Sequence, residues 1–288
     1  MLTNKTPVTV VIPTYNAGNK FRECAEILSK QTANIVEVLV IDSSSTDETA
    51  NIARDFGFDV EIIPKSEFCH GKTRQYALEK AQSDIVVFMT QDALLKDEET
   101  VQKLLDFLLS DDDLAAVYGR QLPYPHTGPL GSFARLYNYP DYSFINSFED
   151  RKKKGIRTAF LSDSFAAYKK TLLLKIGGFP RHVNFGEDTF VAAKLLMASY
   201  KTGYCSEAMV YHAHDYSLKQ DYLRCRQIGI LHKEEAWLLK TFGKAEGEGI
   251  KYVTQELQYL IKCNECAYTL IAFIHNLVKF LAYKTASI

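Results

Sequence analysis

Asp84-Ile-Val-Val-Phe-Met-Thr-Gln-Asp92-Ala93 reads as an apolar strand that delivers an acid at its carboxyl end. The unbroken apolar run Ile85 to Met89 has the pattern of a strand buried on both faces of a sheet. Ligands of open α/β sheets bind outside the carboxyl ends of such strands, where strand order reverses. Asp92 therefore stands at a functional address, although an aspartate after a strand is also ordinary turn or cap chemistry.

Outward from this strand the pattern alternates. Val8 to Pro13, Val36 to Asp42, Phe58 to Ile63 and Ile85 to Gln91 are strand-like, with helical spacing between them, which predicts a parallel sheet. Ser45-Thr-Asp-Glu48 has the form of a capping box and predicts a helix start just after Asp42. Lys96 to Leu109 reads as an amphipathic helix, Asp111 to Asp113 as a solvated turn and Leu114 to Tyr118 as a further strand. From Gly119 to Gly155 four prolines and seven aromatic residues leave little periodicity, and a long excursion of that kind often forms a lid or binding surface. Its aromatic residues suit either stacking on sugar rings or ordinary core. Arg151-Lys-Lys-Lys154 suits either a solvated turn or contact with phosphates or a membrane surface.

After Arg157 a strand-like segment runs through Asp163-Ser-Phe-Ala-Ala-Tyr168, and Gly177-Gly-Phe-Pro180 breaks the chain. A helix resumes at Gly186-Glu-Asp188, with both acids in its first turn, where carboxylates complement the helix dipole. Ala208 to Tyr211 is strand-like, and helices are expected over Leu218 to Thr241 and Ile250 to Tyr283. In the last of these, Leu270, Phe273, Ile274, Leu277, Val278 and Leu281 form an apolar stripe. It reads as core or a homodimer interface, with a helix lying in a membrane plane as the alternative. No segment approaches the ~20 uninterrupted apolar residues of a membrane span.

Of the 288 residues 47% are hydrophobic and 24% charged, the profile of a globular chain with length for a large core. A net charge of −1 gives no basic surplus for nucleic acid, which is not expected as a partner. Six scattered cysteines and the absence of a cleavable leader fit a reducing cytoplasm. Cys263-Asn-Glu-Cys266 has the spacing of a redox or zinc half-site, but without a second pair it is read as one helix face.

Taken in order, Val10-Val-Ile-Pro-Thr-Tyr-Asn16, Val40-Ile-Asp42-Ser-Ser-Ser-Thr-Asp47, His70-Gly-Lys-Thr-Arg74, Thr90-Gln-Asp92-Ala93 and Gly186-Glu-Asp188 resemble the motif series of family 2 glycosyltransferases with the GT-A fold. The resemblance spans roughly residues 8 to 215. The variants His70 to Arg74, Thr90 to Ala93 and Tyr211-His-Ala-His214-Asp-Tyr-Ser217 are most similar to the rhamnosyltransferase branch. This implies an α/β domain over residues 1–216, Rossmann-like and mostly parallel with flanking helices, and a C-terminal helical extension over residues 217–288.

The resemblance also implies roles. Pro13, Thr14, Tyr15 and Asn16 would form the first nucleotide-binding loop, and Asp42 would accept from the ring N3–H of a uracil or thymine. Arg74 would reach the donor nucleotide or diphosphate with its planar fork, with Gln91 also on the donor side and Lys72 either assisting or solvated. Asp92 matches the last acid of the family's Asp-x-Asp motif and would hold Mg²⁺ or Mn²⁺. Thr90 stands where the family's first acid would be, so carboxylates have been lost. His212 and His214 are candidate additional ligands or phosphate contacts, against a structural or acceptor-side role. Asp188 matches the general base, with Glu187 orienting the acceptor or the helix.

The reaction implied is inverting, metal-dependent transfer of a sugar, with L-rhamnose from dTDP-L-rhamnose as the donor group. The acceptor would be a saccharide or lipid-linked saccharide of a bacterial surface polysaccharide, met by a cytoplasmic enzyme with peripheral inner-membrane contact. A transferase using a UDP-hexose and a non-catalytic nucleotide-sugar-binding or scaffold protein are the rivals. A dinucleotide-binding dehydrogenase is disfavoured because Thr14-Tyr-Asn-Ala-Gly18 replaces a Gly-x-Gly-x-x-Gly after the first strand.

Overall fold

The computed structural model describes residues 5–244 and 247–286. They fall into two compact units, the first comprising residues up to 120, 141–148 and 159–212, the second 121–140, 149–158 and the residues from 213 on. The last segment of the second unit thus begins four residues before 217, and the unit takes in two pieces of the irregular stretch.

The first unit is built on a mixed sheet of nine strands among the described residues. Its parallel half contains β1 (Val8–Thr14), β2 (Ile35–Asp42), β3 (Asp59–Ile62) and β4 (Ile85–Met89), in the order β3-β2-β1-β4. The chain steps outward from β1 through β2 to β3 and then returns to the other side of β1, so strand order reverses between β1 and β4. Val10 is the hub, opposite Val38 on one side and Val87 on the other. The β1–β4 ladder stops at Val11↔Phe88, two residues before Pro13, whose missing N–H suits it poorly to the middle of a ladder. The carboxyl ends of these strands carry Thr14, Asp42 and, past β4, Asp92.

Both faces of this half are buried. On one, Val10, Ile12, Val40, Val87 and Met89 pack with Phe21, Cys24 and Leu28 of α1 (Gly18–Leu28) and Ile52 of α2 (Thr49–Asp55). On the other, Phe88, Tyr168 and Phe179 meet edge to face at centroid distances of 5.1 to 5.8 Å. Each fully buried large aliphatic or aromatic side chain contributes roughly 1.5–3 kcal/mol, which makes this slab the rigid floor of the site. Beneath it runs α3 (His70–Lys80).

The rest of the sheet departs from the mostly parallel expectation. β8 (Phe165–Lys169) runs antiparallel between β4 and β6 (Leu114–Leu122). β9 (Lys201–Tyr211) lies beyond β6 and holds the two-residue β5 (Leu94–Leu95) and β7 (Phe144–Asn146), both antiparallel. Because Leu94 and Leu95 join β9, α4 begins only at Thr100 and ends at Leu109, with Asp97 accepting from the Glu99 N–H and the Thr100 hydroxyl at its start. The helices α7 (Lys170–Lys175) and α8 (Glu187–Met197) flank this half. The capping box expected at Ser45 does not form: α2 begins at Thr49 and Asp47 accepts from its N–H and hydroxyl, because the Ser45 hydroxyl is engaged elsewhere.

The second unit is helical: α5 (Pro129–Asn138), α6 (Arg151–Lys154), α9 (Leu218–Glu234), α10 (Trp237–Phe242), α11 (Glu248–Lys262) and α12 (Tyr268–Lys284). The helix expected over 218–241 breaks after Glu234, and the one over 250–283 breaks at Cys263 to Ala267. Asn264 there has φ 60°, so the two thiols lie in a turn between helices and not on a helix face. Phe133 and Tyr137 of α5 pack on Tyr252 and Tyr259 of α11 at 4.9 to 5.5 Å, which makes part of the aromatic stretch core. Arg151 and Lys152 pair with Glu149.

The α12 stripe is not core. Leu270, Phe273 and Leu277 are 67%, 62% and 47% exposed, and Ile274, Phe280 and Leu281 share that exposure. The buried side of the helix carries Ala272 and Ala282 instead, with His275 bonded to Asp221 at 2.7 Å and Asn276 to Glu256 at 2.6 Å.

Candidate active site

Three groups of side chains gather at the carboxyl edge of the first unit. The first is the loop after β1. Register places Thr14 opposite Asp42, and the Thr14 hydroxyl donates to Asp42 Oδ1 at 2.9 Å. The Ser45 hydroxyl donates to the same oxygen at 2.6 Å, and the Ser45 N–H to Oδ2 at 2.8 Å. A carboxylate offers about four acceptor positions, so the buried Asp42 keeps one on Oδ2 for a further donor. Asn16, in the left-handed region at φ 47°, accepts from the Thr46 N–H at 2.8 Å while its own N–H donates to Ser45 Oγ at 2.9 Å. Asparagine tolerates this region better than most residues.

Gln91 does not stand apart as a donor contact. Its Oε1 accepts from the Tyr15 N–H at 2.7 Å and its Nε2 donates to the Tyr15 carbonyl at 3.2 Å. A carboxylate at 91 would keep the first bond and lose the second, which is a physical reason for the neutral residue. Lys65 reaches Tyr15 from the other side, 2.7 Å from its hydroxyl and 4.1 Å from the ring centre.

The second group lies past β4. Leu94 pairs with Tyr211, and this antiparallel register sets Asp92 beside His212, with Nε2 3.4 Å from Oδ1. His212 is buried and Asp92 half-buried. The Thr90 hydroxyl is buried with no hydrogen-bond partner. Nearby, burial first and the Asp92 charge second push the Cys24 thiol up to about 12, so it is a neutral core residue there. A carboxylate oxygen and an imidazole nitrogen this close fit a divalent cation, and the nitrogen favours Mn²⁺ over Mg²⁺. His214 belongs to the second unit, where its ring lies 5.2 Å from that of Tyr216. Its neighbour Asp215 accepts from the Gly128 N–H at 2.9 Å, and a side chain at Gly131 would strike Asp215 Oδ1 at 2.5 Å.

The third group surrounds the amino end of α8. Gly186, at φ 81°, turns the chain into the helix. Glu187 points inward and accepts from Arg74 Nη1 at 2.6 Å. Nε of Arg74 lies 3.0 Å from Asp163 Oδ2, an ionic contact off the hydrogen-bond line, and Nη1 is also 3.0 Å from His70 Nδ1. Arg74, Asp163 and Glu187 have side chains 4%, 2% and 7% exposed. Tyr168 donates its hydroxyl to Asp163 Oδ1. Asp188 is half-buried, and its Oδ1 accepts from the Thr189 N–H at 2.7 Å. Burial, and then the neighbouring Glu187 charge, raise its carboxyl to about 7. Burial likewise raises Asp163 to about 7 against the pull of Arg74, and raises Glu187.

Close packing holds these elements together. A Cβ at Gly71 would lie 2.0 Å from the Pro180 carbonyl oxygen and 2.8 Å from that of Val183, and one at Gly178 would lie 2.0 Å from Gln75 Oε1. Only glycines let α3 seat against the loop that leads into α8. Gln75 Oε1 accepts from the Phe179 N–H at 2.7 Å and closes that contact.

The structure thus joins Thr14 to Asp42, Gln91 to Tyr15, Asp92 to His212 and Arg74 to Glu187. Lys72 stands apart, half-exposed and 3.4 Å from Glu67. Arg74 has acids as its partners, which leaves its donor-binding role a proposal. Asp163, Tyr168, Ser45 and Lys65 are participants that the sequence reading did not single out. Asp163 precedes a strand much as Asp92 follows one, but nothing along the chain marks Arg74 as its partner.

The profile of glycosyl transferase family 2 matches residues 9–177, more than half of the chain. The chain belongs to glycosyl transferase family 2. It is 42% identical over 278 residues to the O-antigen chain rhamnosyltransferase WbaN of Salmonella anatum, covering 96% of this chain and 88% of that protein. Identity to the O-antigen chain rhamnosyltransferase RfbN of Salmonella typhimurium is 39% over 279 residues, with the same coverage. The mannosyltransferase PcManGT from Pyrobaculum calidifontis, solved in complex with GDP-Man and Mn²⁺, superposes at a TM-score of 0.64 with 20% identity, over 98% of this chain and 88% of that one. That likeness establishes the GT-A fold of this family 2 protein. As a family 2 glycosyltransferase it is an enzyme, which sets aside the scaffold reading. No helix among the described residues is long and apolar enough to cross a membrane.

Proposed function

We propose that the protein transfers L-rhamnose from dTDP-L-rhamnose, with inversion, onto a saccharide or lipid-linked saccharide of a growing surface polysaccharide. The observation that carries the chemistry is Asp188, a half-buried carboxylate at a helix start held near pH 7. A general base works best when its pKa lies near the working pH. Asp188 takes the proton of the acceptor hydroxyl as the oxygen attacks C1 of the sugar, and the bond from C1 to the diphosphate breaks on the opposite face. One displacement of this kind inverts the anomeric centre. Two rhamnosyltransferases similar over 96% of the chain support the choice of sugar.

Asp42, with its remaining acceptor position, receives the N3–H of thymine, and Pro13 to Asn16 line the nucleotide side, set in place by Gln91 and Ser45. Asp92 and His212 would hold a divalent cation, with His214, two residues on, as a third candidate ligand. Such a cation would supply positive charge against the departing diphosphate.

The exposed face of α12 sits against an anionic lipid surface at which a lipid-linked acceptor is met. In the sequence of the second unit sixteen Lys and Arg stand against ten Asp and Glu, a surplus of six. The first unit has eighteen against twenty-five. A basic unit with an apolar face is attracted to anionic lipid, whereas pairing two such faces would bring like charges together.

A panel of nucleotide sugars, with and without Mn²⁺, read by release of the nucleoside diphosphate, tests the donor assignment. Turnover of dTDP-L-rhamnose above all others is expected. Preferential turnover of a UDP-hexose would overturn it.

A further inference from the structure

Asp163 has no role in the family motifs quoted above, yet it touches two members of the base cluster. Its Oδ2 lies 3.0 Å from Arg74 Nε and its Oδ1 accepts from the Tyr168 hydroxyl. The segment holding it is anchored at the two residues that follow. Ser164 accepts from the Thr90 N–H through its carbonyl at 3.2 Å, and Phe165 then enters β8 opposite Met89. Asp163 is therefore fixed to the floor of the site, and through Arg74 it is fixed to Glu187 as well.

The charges do not balance. The cluster contains three carboxylates, Asp163, Glu187 and Asp188, and a single guanidinium, Arg74, with the neutral Tyr168 and the His70 ring also in contact. A buried carboxylate that lacks a full counter-charge disfavours ionisation of its neighbours. Arg74 has two acids on it already, so the positive charge felt by Asp188 depends on how much of Arg74 is taken up by Asp163.

We infer that Asp163 is a positioning residue for glycosyl transfer: it shares Arg74 with Glu187 and so sets how much of that positive charge acts on Asp188. This rests on the reading of Asp188 as the general base. Asp163→Asn keeps the shape and removes only the charge. Arg74 is then free to act more strongly on Glu187 and Asp188, so Asp188 becomes easier to ionise and weaker as a base.

The test is the pH dependence of kcat/KM, measured by nucleoside diphosphate release in the wild type, Asp163→Asn, Tyr168→Phe and Asp188→Asn. Asp163→Asn should move the acid limb to lower pH by about half a unit or more, lower kcat roughly tenfold, and leave nucleotide affinity within about twofold. Tyr168→Phe removes one donor to Asp163, makes it harder to ionise, and should move the limb the same way by less. It decides the matter if Asp163→Asn fails to fold. A limb that stays in place in a folded variant, while Asp188→Asn is inactive, overturns the inference and leaves the base assignment standing. Full turnover by Asp188→Asn overturns both.

Discussion

Arg74 Nη1 and Glu187 Oε1 lie 2.6 Å apart, across 113 residues of chain, with both side chains almost wholly buried. The pair locks α3 to the first turn of α8 and leaves Asp188, the next residue, at the half-exposed edge. Breaking one partner of a buried pair of this kind costs roughly 3–5 kcal/mol, because the other charge is left uncompensated. The pairing therefore serves to place Asp188, the proposed base, and its loss should affect folding as well as rate.

For Asp188 the expected sign is unambiguous. Only the carboxylate form accepts a proton, so kcat/KM should rise with pH through about 7, the value to which burial and Glu187 raise the group, and level off above it. Asp188→Asn should reduce turnover by roughly 10²–10⁴-fold with nucleotide affinity nearly unchanged. Equal turnover in the variant and the wild type would remove Asp188 from the mechanism.

Gln91 predicts a different signature. Its amide grips both main-chain groups of Tyr15, so Gln91→Ala should loosen the nucleotide loop, raising the donor KM by about three- to tenfold, the loss of roughly 1 kcal/mol, with kcat changed little. Gln91→Glu should fall between the two, since it can keep only the bond from the Tyr15 N–H. A kcat effect larger than the KM effect would mean that Gln91 touches the reacting groups.

Removal of either proposed ligand in the first unit should weaken Mn²⁺ binding. Asp92→Asn and His212→Ala should each lower the affinity for Mn²⁺ alone by about tenfold or more, measured by titration calorimetry or the electron spin resonance of the free ion. The contrast with Mg²⁺ is informative, because His212→Ala should cost less there. Unchanged Mn²⁺ affinity in both variants would place the cation elsewhere.

Phe273→Asp combined with Leu277→Asp should abolish flotation with vesicles containing anionic lipid and leave turnover of a water-soluble acceptor analogue intact. These side chains are 62% and 47% exposed, so their replacement should alter stability by no more than about 1 kcal/mol. Flotation that persists would dismiss the α12 face, and a halving of the solution mass in the variant would identify it as a homodimer contact.

What could be read along the chain were features set by local chemistry. Alternating β-branched and helical runs specified the parallel half of the sheet to within about two residues, because burial on two faces demands continuous apolar strands. The acids at the end of β2 and past β4 stood out because an open sheet exposes such positions at one edge, and the motif order identified the family. Tertiary structure alone decided which charge meets which. Arg74 and Asp163 are 89 positions apart, and periodicity contains no term for a partner at that range. The antiparallel strands β8 and β9 bring Asp163 under Arg74 and His212 beside Asp92. The same limit holds for α12, whose stripe is equally apolar whether it faces a core, a partner or lipid; only the packing of its alanine side against the neighbouring helices leaves the leucines and phenylalanines outside.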